Sequence, residues 1–160
     1  KKYCKHVKKV YAFEPDPDNY RLCVWKKARY DFSEAEIIPY GTWNERKELR
    51  FCAVGAGYSN ICETGEISIP VMPIDEAIHP GDKVTFIKMD VEGSELESLK
   101  GAKNTILRDK PKLAICIYHK PEDMVTIPLY IKELVPEYKL YVRHHSNSWA
   151  ETVLYAVLPE

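Results

Sequence analysis

One short stretch constrains the fold more than any other part of the chain. Mostly apolar residues run from Val84 to Met89, and the chain then passes Asp90 and Gly93 before it reaches Ser94. An apolar run that ends at an acid predicts a strand buried on both faces, and the glycine predicts a tight turn. Ser94 and Glu97 have the S-x-x-E spacing of a capping box, which predicts that a helix begins at Ser94.

Similar apolar runs and helical patterns alternate along the rest of the chain. Residues 10–13, 37–40 and 112–118 are predicted strands, and residues 20–28 and 127–134 are predicted helices. The apolar positions after Ser94 recur at helical spacing as far as residue 106, and Pro111 blocks any continuation. Strands that alternate with helices predict an α/β domain with a largely parallel sheet covered on both sides.

Two parts of the chain depart from the parallel pattern. Residues 48–53 and 67–71 alternate apolar and polar side chains, which predicts an antiparallel excursion around the loop of residues 55–60. Residues 138–143 and 152–158 are two late strands joined by a short polar loop. A parallel crossover needs a dozen or more residues, so these last strands are predicted to form an antiparallel hairpin.

Composition excludes several classes of protein. The chain has 160 residues, of which 45% are hydrophobic and 29% charged, as expected for one domain. Its 23 basic and 24 acidic side chains nearly cancel, which argues against nucleic acid as a partner. No apolar run reaches the ~18–20 residues needed to cross a bilayer. The five cysteines are odd in number, and no two of them form a C-x-x-C pair, so we predict neither a disulfide framework nor a zinc site. The same cysteine usage predicts a reducing, cytoplasmic location.

Ligands of open α/β sheets bind beyond the carboxyl ends of the strands. The residues predicted at those ends are Glu14, the Tyr40–Gly41 turn, Asp90 with Glu92, and His119. Glu14 fits an acceptor for two ribose hydroxyls, and it fits a cap for the following helix equally well.

The acids after the strand that ends near Met89 have three interpretations. Asp90 and Glu92 could accept hydrogen bonds from a ligand, or they could offset the positive end of the helix dipole. With Glu95 they could also offer hard oxygen ligands to a cation, but D-x-E is a common pattern and we predict no metal site. His119 could take a proton from a substrate hydroxyl, or it could be a turn histidine bonded to backbone.

Taken together, these segments resemble the FkbM-type methyltransferase family. The stretches that carry the resemblance are VYAFEPDPDNY (residues 10–20), YGTW (40–43), FIKMDVEGSELESLKGA (86–102) and IYHKPED (117–123). The resemblance implies a Rossmann-like class I methyltransferase sheet, mostly parallel, with a C-terminal antiparallel hairpin. It also implies S-adenosylmethionine as cofactor and methylation of a hydroxyl on a sugar, glycan or secondary metabolite.

The resemblance implies roles for individual residues as well. The cofactor-binding set would be Glu14, Pro15, Tyr40, Gly41 and Asp90, with Glu14 on the ribose, the Tyr40–Gly41 turn near the adenine and Asp90 at the methionine end. Of the catalytic set, Glu92 and His119 would face the acceptor. His119 is the first candidate for the base, followed by Asp90 or Glu92.

One departure from the family pattern concerns the start of the domain. The family opens with a strand and a glycine-rich turn, whereas this chain has no glycine before Gly41. We therefore predict one domain over residues 1–160 that lacks its N-terminal strand, its cofactor loop and most of its first helix. The loss of that strand would open the sheet between two neighbours. A second copy that fills the gap would make the protein a homo-oligomer.

Two rival functions stay open at this point. A nicotinamide-dependent oxidoreductase also uses an acid on a ribose, but it needs a G-x-G-x-x-G that is missing, and it favours a parallel sixth strand. The second rival is a non-catalytic α/β module that binds a partner, and the missing cofactor loop favours it. For the methyltransferase, the expected partner is a small-molecule or carbohydrate acceptor.

Overall fold

The computed structural model describes residues 7–52, 60–61 and 67–159. The helices of this part of the chain are Pro17–Arg29 (α1), Ile74–Ala77 (α2), Glu95–Gly101 (α3), Lys103–Asp109 (α4) and Asp123–Leu134 (α5). Its strands are Val10–Phe13 (β1), Ala35–Ile38 (β2), Gly41–Thr42 (β3), Lys47–Cys52 (β4), Asn60–Ile61 (β5), Ile67–Met72 (β6), Phe86–Met89 (β7), Lys112–Cys116 (β8), Lys139–His144 (β9) and Thr152–Val157 (β10).

The strands form three sheets. The central sheet has the order β7-β8-β10-β9, with β7 parallel to β8 and with β10 antiparallel to both β8 and β9. The terminal hairpin is thereby confirmed. A second sheet has the order β3-β6-β4-β5, in which β4 and β6 form the predicted antiparallel pair. The third sheet is the parallel pair β1 and β2.

The main core lies between the central sheet and helices α3 to α5. Strand β8 is its centre, because every residue of β8 after Lys112 is buried. Apolar side chains of the helices pack against this strand, among them Leu99, Ile106, Ile127 and Ile131. Cys116 is fully buried, and Cys23 on α1 is half-buried. The central sheet is therefore a rigid base for the residues at its carboxyl edge.

The paired sheet β1–β2 is separate from the central sheet. Among the described strands, neither β1 nor β7 pairs with the other, so both have an edge without a described partner. Side chains connect the two sheets instead. The Tyr11 hydroxyl donates to Asp82 and accepts from the backbone N–H of His79 at 3.1 Å.

Helix α3 is fixed against the short strand β3. The Ser98 hydroxyl donates to the carbonyl of Thr42 at 3.0 Å, and its oxygen lies 2.6 Å from the Thr42 hydroxyl. Gly101 lies so near the backbone that a Cβ atom there would be 1.9 Å from the Trp43 carbonyl oxygen. These contacts position the first residue of α3, Glu95, at the carboxyl edge of the central sheet.

Several local predictions are wrong or shifted. Strand β7 is not buried on both faces, because Phe86 and Lys88 are exposed. The helices predicted at residues 20–28 and 127–134 begin earlier, at Pro17 and Asp123.

Ser94 precedes α3, but its side chain makes no capping bond, because its φ of −99° and ψ of 9° are not the extended conformation of a usual N-cap. Glu97 instead pairs with Asn44 and Lys100. The helix predicted to run to residue 106 is broken at Ala102 into α3 and α4, and the strand predicted at residues 37–40 is β2, which begins and ends two residues earlier.

Some expectations fall outside the described residues. These include Cys4, Cys62, His6 and most of the loop of residues 55–60, of which Asn60 begins β5. No helix in the described ranges is long and apolar enough to cross a membrane.

Candidate active site

The carboxyl ends of β7 and β8 bring the predicted acids and histidine together. The two strands are parallel neighbours, with Met89 opposite Ile115, so their following residues lie at one edge. Asp90 follows β7, and His119 lies three residues beyond β8. Three of the sequence-predicted site residues, Asp90, Glu92 and His119, meet there.

His119 is surrounded by carboxylates. Its Nδ1 atom lies 2.7 Å from Oε1 of Glu95. Its Nε2 atom lies 3.4 Å from Oε2 of Glu92 and 3.5 Å from Oδ1 of Asp90. The histidine side chain is only 8% exposed. One ring nitrogen thus lies close to a buried acid, and the other lies near two acids at the edge of the sheet. Both nitrogens are buried, and neither makes a contact with the geometry of a hydrogen bond.

Glu95 is the site residue that the sequence did not single out for catalysis. It is completely buried, and its Oε1 also accepts the backbone N–H of Val91 at 2.9 Å. Its Oε2 has no hydrogen-bond partner among the described residues. An acid that directly follows a predicted N-cap is typical of a helix terminus, so no local signal marks Glu95. Only the packing of α3 beside β8 shows its contact with His119.

The acids raise the pKa of His119. Burial by itself would lower that pKa, but the contact with Glu95 and the charges of Glu95, Glu92 and Asp90 outweigh it. Burial also raises the pKa of Glu92 and of Asp123, and Glu95 adds to the rise in both. The site therefore has a histidine of increased basicity in a strongly negative environment.

The turn between β7 and α3 has an unusual backbone. Glu92 has a φ of 52° and Gly93 a φ of 90°. Glycine adopts such angles readily, whereas a non-glycine residue there costs about 1 kcal/mol. A Cβ atom at Gly93 would be 3.0 Å from Cε of Lys120. Backbone of this kind is concentrated at functional sites, and here it brings the Glu92 carboxylate to His119.

Asp90 stays ionised through its own partners. Burial would raise its pKa, but contacts with the Cys116 thiol, the Lys88 ammonium and the Tyr118 hydroxyl lower it overall. Lys88 Nζ is 3.2 Å from Oδ2, and the Tyr118 hydroxyl donates to Oδ1 at 3.1 Å. Burial and the adjacent Asp90 carboxylate raise the pKa of Cys116 to about 12, against the opposing effect of Lys88, which keeps the thiol protonated. Asp90 is consequently a fixed negative charge, which suits an ammonium or hydroxyl of a ligand.

The residues predicted for the other end of the cofactor lie beside β1 and β3. Asp16, rather than Glu14, caps α1, because its side chain accepts from the N–H groups of Asp18 and Asn19. Glu14 Oε1 accepts the N–H of Asp16 at 3.0 Å, and burial raises the Glu14 pKa. The role of Glu14 on the ribose stays a prediction.

The two turns of the predicted cofactor set are in contact. A Cβ atom at Gly41 would lie 3.7 Å from Cβ of Pro15 and 3.0 Å from Val71, so only a small residue fits between them. The ring of Tyr40 lies 5.3 Å from the guanidinium of Arg46. Pro15, Tyr40 and Gly41 thus form one surface next to Glu14.

Three of the clustered side chains could hold a divalent cation. Asp90, Glu95 and His119 each offer one ligand atom, and these atoms lie within 4.8 Å of one another. Carboxylate oxygens with an imidazole suit several divalent metals. The close contact between Nδ1 of His119 and Glu95 is equally well satisfied by a proton, so the sequence-based prediction of no metal site stays a prediction.

Comparison with known proteins identifies the family. Residues 1–146 match the methyltransferase FkbM domain. The chain belongs to this family. The chain is 32% identical to the methyltransferase FkbM from Methylobacillus flagellatus, whose crystal structure superposes with a TM-score of 0.79 over 94% of this chain and 36% of that protein. It is also 31% identical over 110 residues to the hexuronic acid methyltransferase AglP of Haloferax volcanii.

The extent of these matches differs between the proteins. The alignment with AglP covers 64% of this FkbM-domain chain and 45% of AglP, so the chain spans less than half of that relative. The chain also resembles a putative methyltransferase from Streptococcus mutans that was solved in complex with S-adenosylhomocysteine. The two are 13% identical, and their superposition has a TM-score of 0.53 and covers 93% of this chain and 76% of the other. Such distant similarity supports the class I methyltransferase fold predicted from the sequence.

Proposed function

We propose that this protein is an S-adenosylmethionine-dependent O-methyltransferase that acts on a hydroxyl of a sugar or glycan. The observation that carries the proposal is the position of His119, which lies among Asp90, Glu92 and Glu95 at the carboxyl edge of a methyltransferase sheet. The name of the relative AglP favours a hexuronic acid as the acceptor class.

The residues present fit the cofactor. Glu14 offers a half-buried carboxylate for the ribose hydroxyls, and the Pro15 and Gly41 turns form the adjacent surface. Asp90 would hold the ammonium of the methionine end, because its partners keep it negatively charged. The bound cofactor supplies an electrophilic methyl group on a cationic sulfonium. The acids around His119 favour positive charge at the same edge of the sheet.

The task of the protein residues is to orient the acceptor and to remove its proton. The acceptor oxygen forms a bond to the methyl carbon as the bond from that carbon to sulfur breaks. The hydroxyl proton passes to Nε2 of His119, which must be neutral to receive it. Glu95 holds the proton of Nδ1, fixes the orientation of the ring and stabilises the imidazolium that results.

Two measurements on the intact protein test the proposal. Calorimetric titration with S-adenosylhomocysteine is expected to show binding that Glu14→Ala weakens. Transfer of a labelled methyl group to methyl glucuronide is expected to fall about 10²–10⁴-fold in His119→Ala, the range for loss of a general base. His79→Ala is the matched control, since His79 is exposed and lies beside β1.

Other results would reject the proposal. If S-adenosylhomocysteine does not bind the intact protein, the cofactor assignment fails and a non-catalytic binding module is favoured. If the cofactor binds but His119→Ala transfers methyl groups at the rate of the unaltered protein, His119 is not the base.

A further inference from the structure

An exposed tryptophan lies beside the candidate active site. Trp149, in the loop between β9 and β10, is 73% exposed. Its indole N–H makes no hydrogen bond within the part of the chain that the structure describes. A large aromatic ring normally buries much of its surface on folding, so one that is left open next to a site indicates a surface for a ligand.

Ring contacts connect Trp149 to the catalytic cluster. Its ring centroid lies 6.0 Å from that of Tyr118, with 69° between the planes. The Tyr118 ring is in turn 4.1 Å from the ring of His119, and its hydroxyl donates to Asp90 at 3.1 Å. Tyr118 is therefore fixed at both ends, and Trp149 extends the aromatic surface from it toward solvent.

We propose that Tyr118 and Trp149 form a binding subsite for the sugar ring of the acceptor. The inference rests on the proposed function, and it adds the residues that recognise the acceptor. The rings of Tyr118 and Trp149 meet at a steep angle, so each presents one apolar face to the space between them. The C–H face of a pyranose can pack against one ring while its hydroxyls point away from the corner, toward water and toward His119. The free indole N–H can donate to a ring or hydroxyl oxygen.

The acids beside the subsite favour an uncharged, hydroxyl-bearing face of the sugar at this position. Asp90 contacts the Tyr118 hydroxyl and Glu92 lies beside His119, and both carboxylates can accept hydrogen bonds from sugar hydroxyls. The rigid hairpin β9–β10 supports the loop, because Thr152 pairs with His144 directly below it and the backbone of His145 bonds to Glu151. A subsite on such a support needs little ordering when the sugar binds.

The test compares variants of the two exposed tryptophans in the intact protein. Binding of methyl glucuronide is measured by calorimetry with saturating S-adenosylhomocysteine and without it. We expect Trp149→Ala to weaken sugar binding about fivefold to tenfold, the scale of one aromatic contact, and Trp149→Phe to retain most of the affinity. Trp25→Ala is the matched control, because Trp25 is 57% exposed on α1 and no contact connects it to His119 in the described residues.

The readouts separate this inference from the proposed function. In Trp149→Ala the affinity for S-adenosylhomocysteine and the kcat should stay close to those of the unaltered protein, while KM for the sugar rises. Unchanged sugar affinity in Trp149→Ala, or an equal loss in Trp25→Ala, would overturn the subsite. If the protein transfers no methyl group but loses sugar affinity only in Trp149→Ala, the subsite stands and the methyl transfer is rejected.

Discussion

Glu95 and His119 show how a single buried pair can set the chemistry of a site. The two residues are far apart in sequence, and each alone is an ordinary helix-terminal acid or turn histidine. Together they place a fully buried carboxylate 2.7 Å from the imidazole. A buried negative charge next to a histidine favours the protonated ring, which gives the histidine a raised pKa and a fixed orientation.

The raised pKa of His119 leads to a prediction on the pH dependence of activity. A base works in its neutral form, so the rate should rise as pH passes upward through the folded-state pKa of His119. Glu95→Gln removes the largest contribution that raises this pKa, and the rising limb should therefore move to lower pH. Asp90, Glu92, Asp123 and Lys120 also face the cluster and stay unchanged in this variant.

The measurement is kcat/KM for methyl transfer as a function of pH. Glu97→Gln is the matched control on the same helix, where the side chain pairs with Lys100 instead. If the rising limb of the pH–rate profile lies at the same pH in Glu95→Gln as in the unaltered protein, Glu95 only stabilises the fold, even if the rate falls at every pH.

The individual residues of the site were predictable to different degrees. Asp90, Glu92 and His119 could be placed from the sequence because they follow apolar strands that are parallel neighbours. The roles of Tyr118 and Glu95 could not, since tyrosine at the end of a strand and glutamate at the start of a helix are common in any α/β domain. Trp149 lacked a signal for a further reason, because exposure is a property of tertiary structure.

At the level of elements, the packing of α3 against β3 determines where Glu95 lies. Gly101 permits this contact, because any side chain there would meet the Trp43 carbonyl. We therefore predict that Gly101→Ala lowers the free energy of unfolding by about 1–3 kcal/mol, the range for overpacking, although alanine is the better helix former.

Chemical denaturation of Gly101→Ala and of Lys103→Ala gives the comparison. Lys103 is exposed on α4, where the substitution changes little. A Gly101→Ala variant as stable as the unaltered protein would show that α3 does not pack closely on β3.

Element boundaries show where sequence patterns are insufficient. The strands β1, β7 and β8 and the terminal hairpin follow from apolar runs and loop length, which are local properties. The break between α3 and α4 does not, because the helical spacing of apolar residues continues across Ala102. The capping box at Ser94 and Glu97 failed because Ser94 lacks the extended backbone of an N-cap and because Glu97 pairs with Asn44, which is distant in sequence.

The molecule as a whole has two regions of unequal packing. No residue of α1 is buried, and β1 is only half-buried throughout, whereas β8 is almost completely buried. Regions with few buried apolar contacts open at lower free energy than the core. We predict that the amides of β1 and β2 exchange with solvent deuterium at least tenfold faster than those of β8.

Hydrogen exchange followed by mass spectrometry measures this difference on peptides from each strand. Peptides from β10 are the internal reference, because β10 is paired on both sides. Equal protection of β1 and β8 would show that the two sheets unfold as one unit.

The hydrogen bond between Tyr11 and Asp82 has a consequence for the affinity of a ligand. It connects β1, which leads to Glu14, with the segment before β7, which leads to Asp90. Among the described residues, no ladder of backbone bonds joins these two strands. A ligand that engages both acids would act as a clamp and would bind only the docked arrangement. Its apparent dissociation constant would then equal the intrinsic constant divided by the docked fraction. A substitution such as Tyr11→Phe, remote from every reacting atom, would weaken the binding of cofactor through this coupling alone.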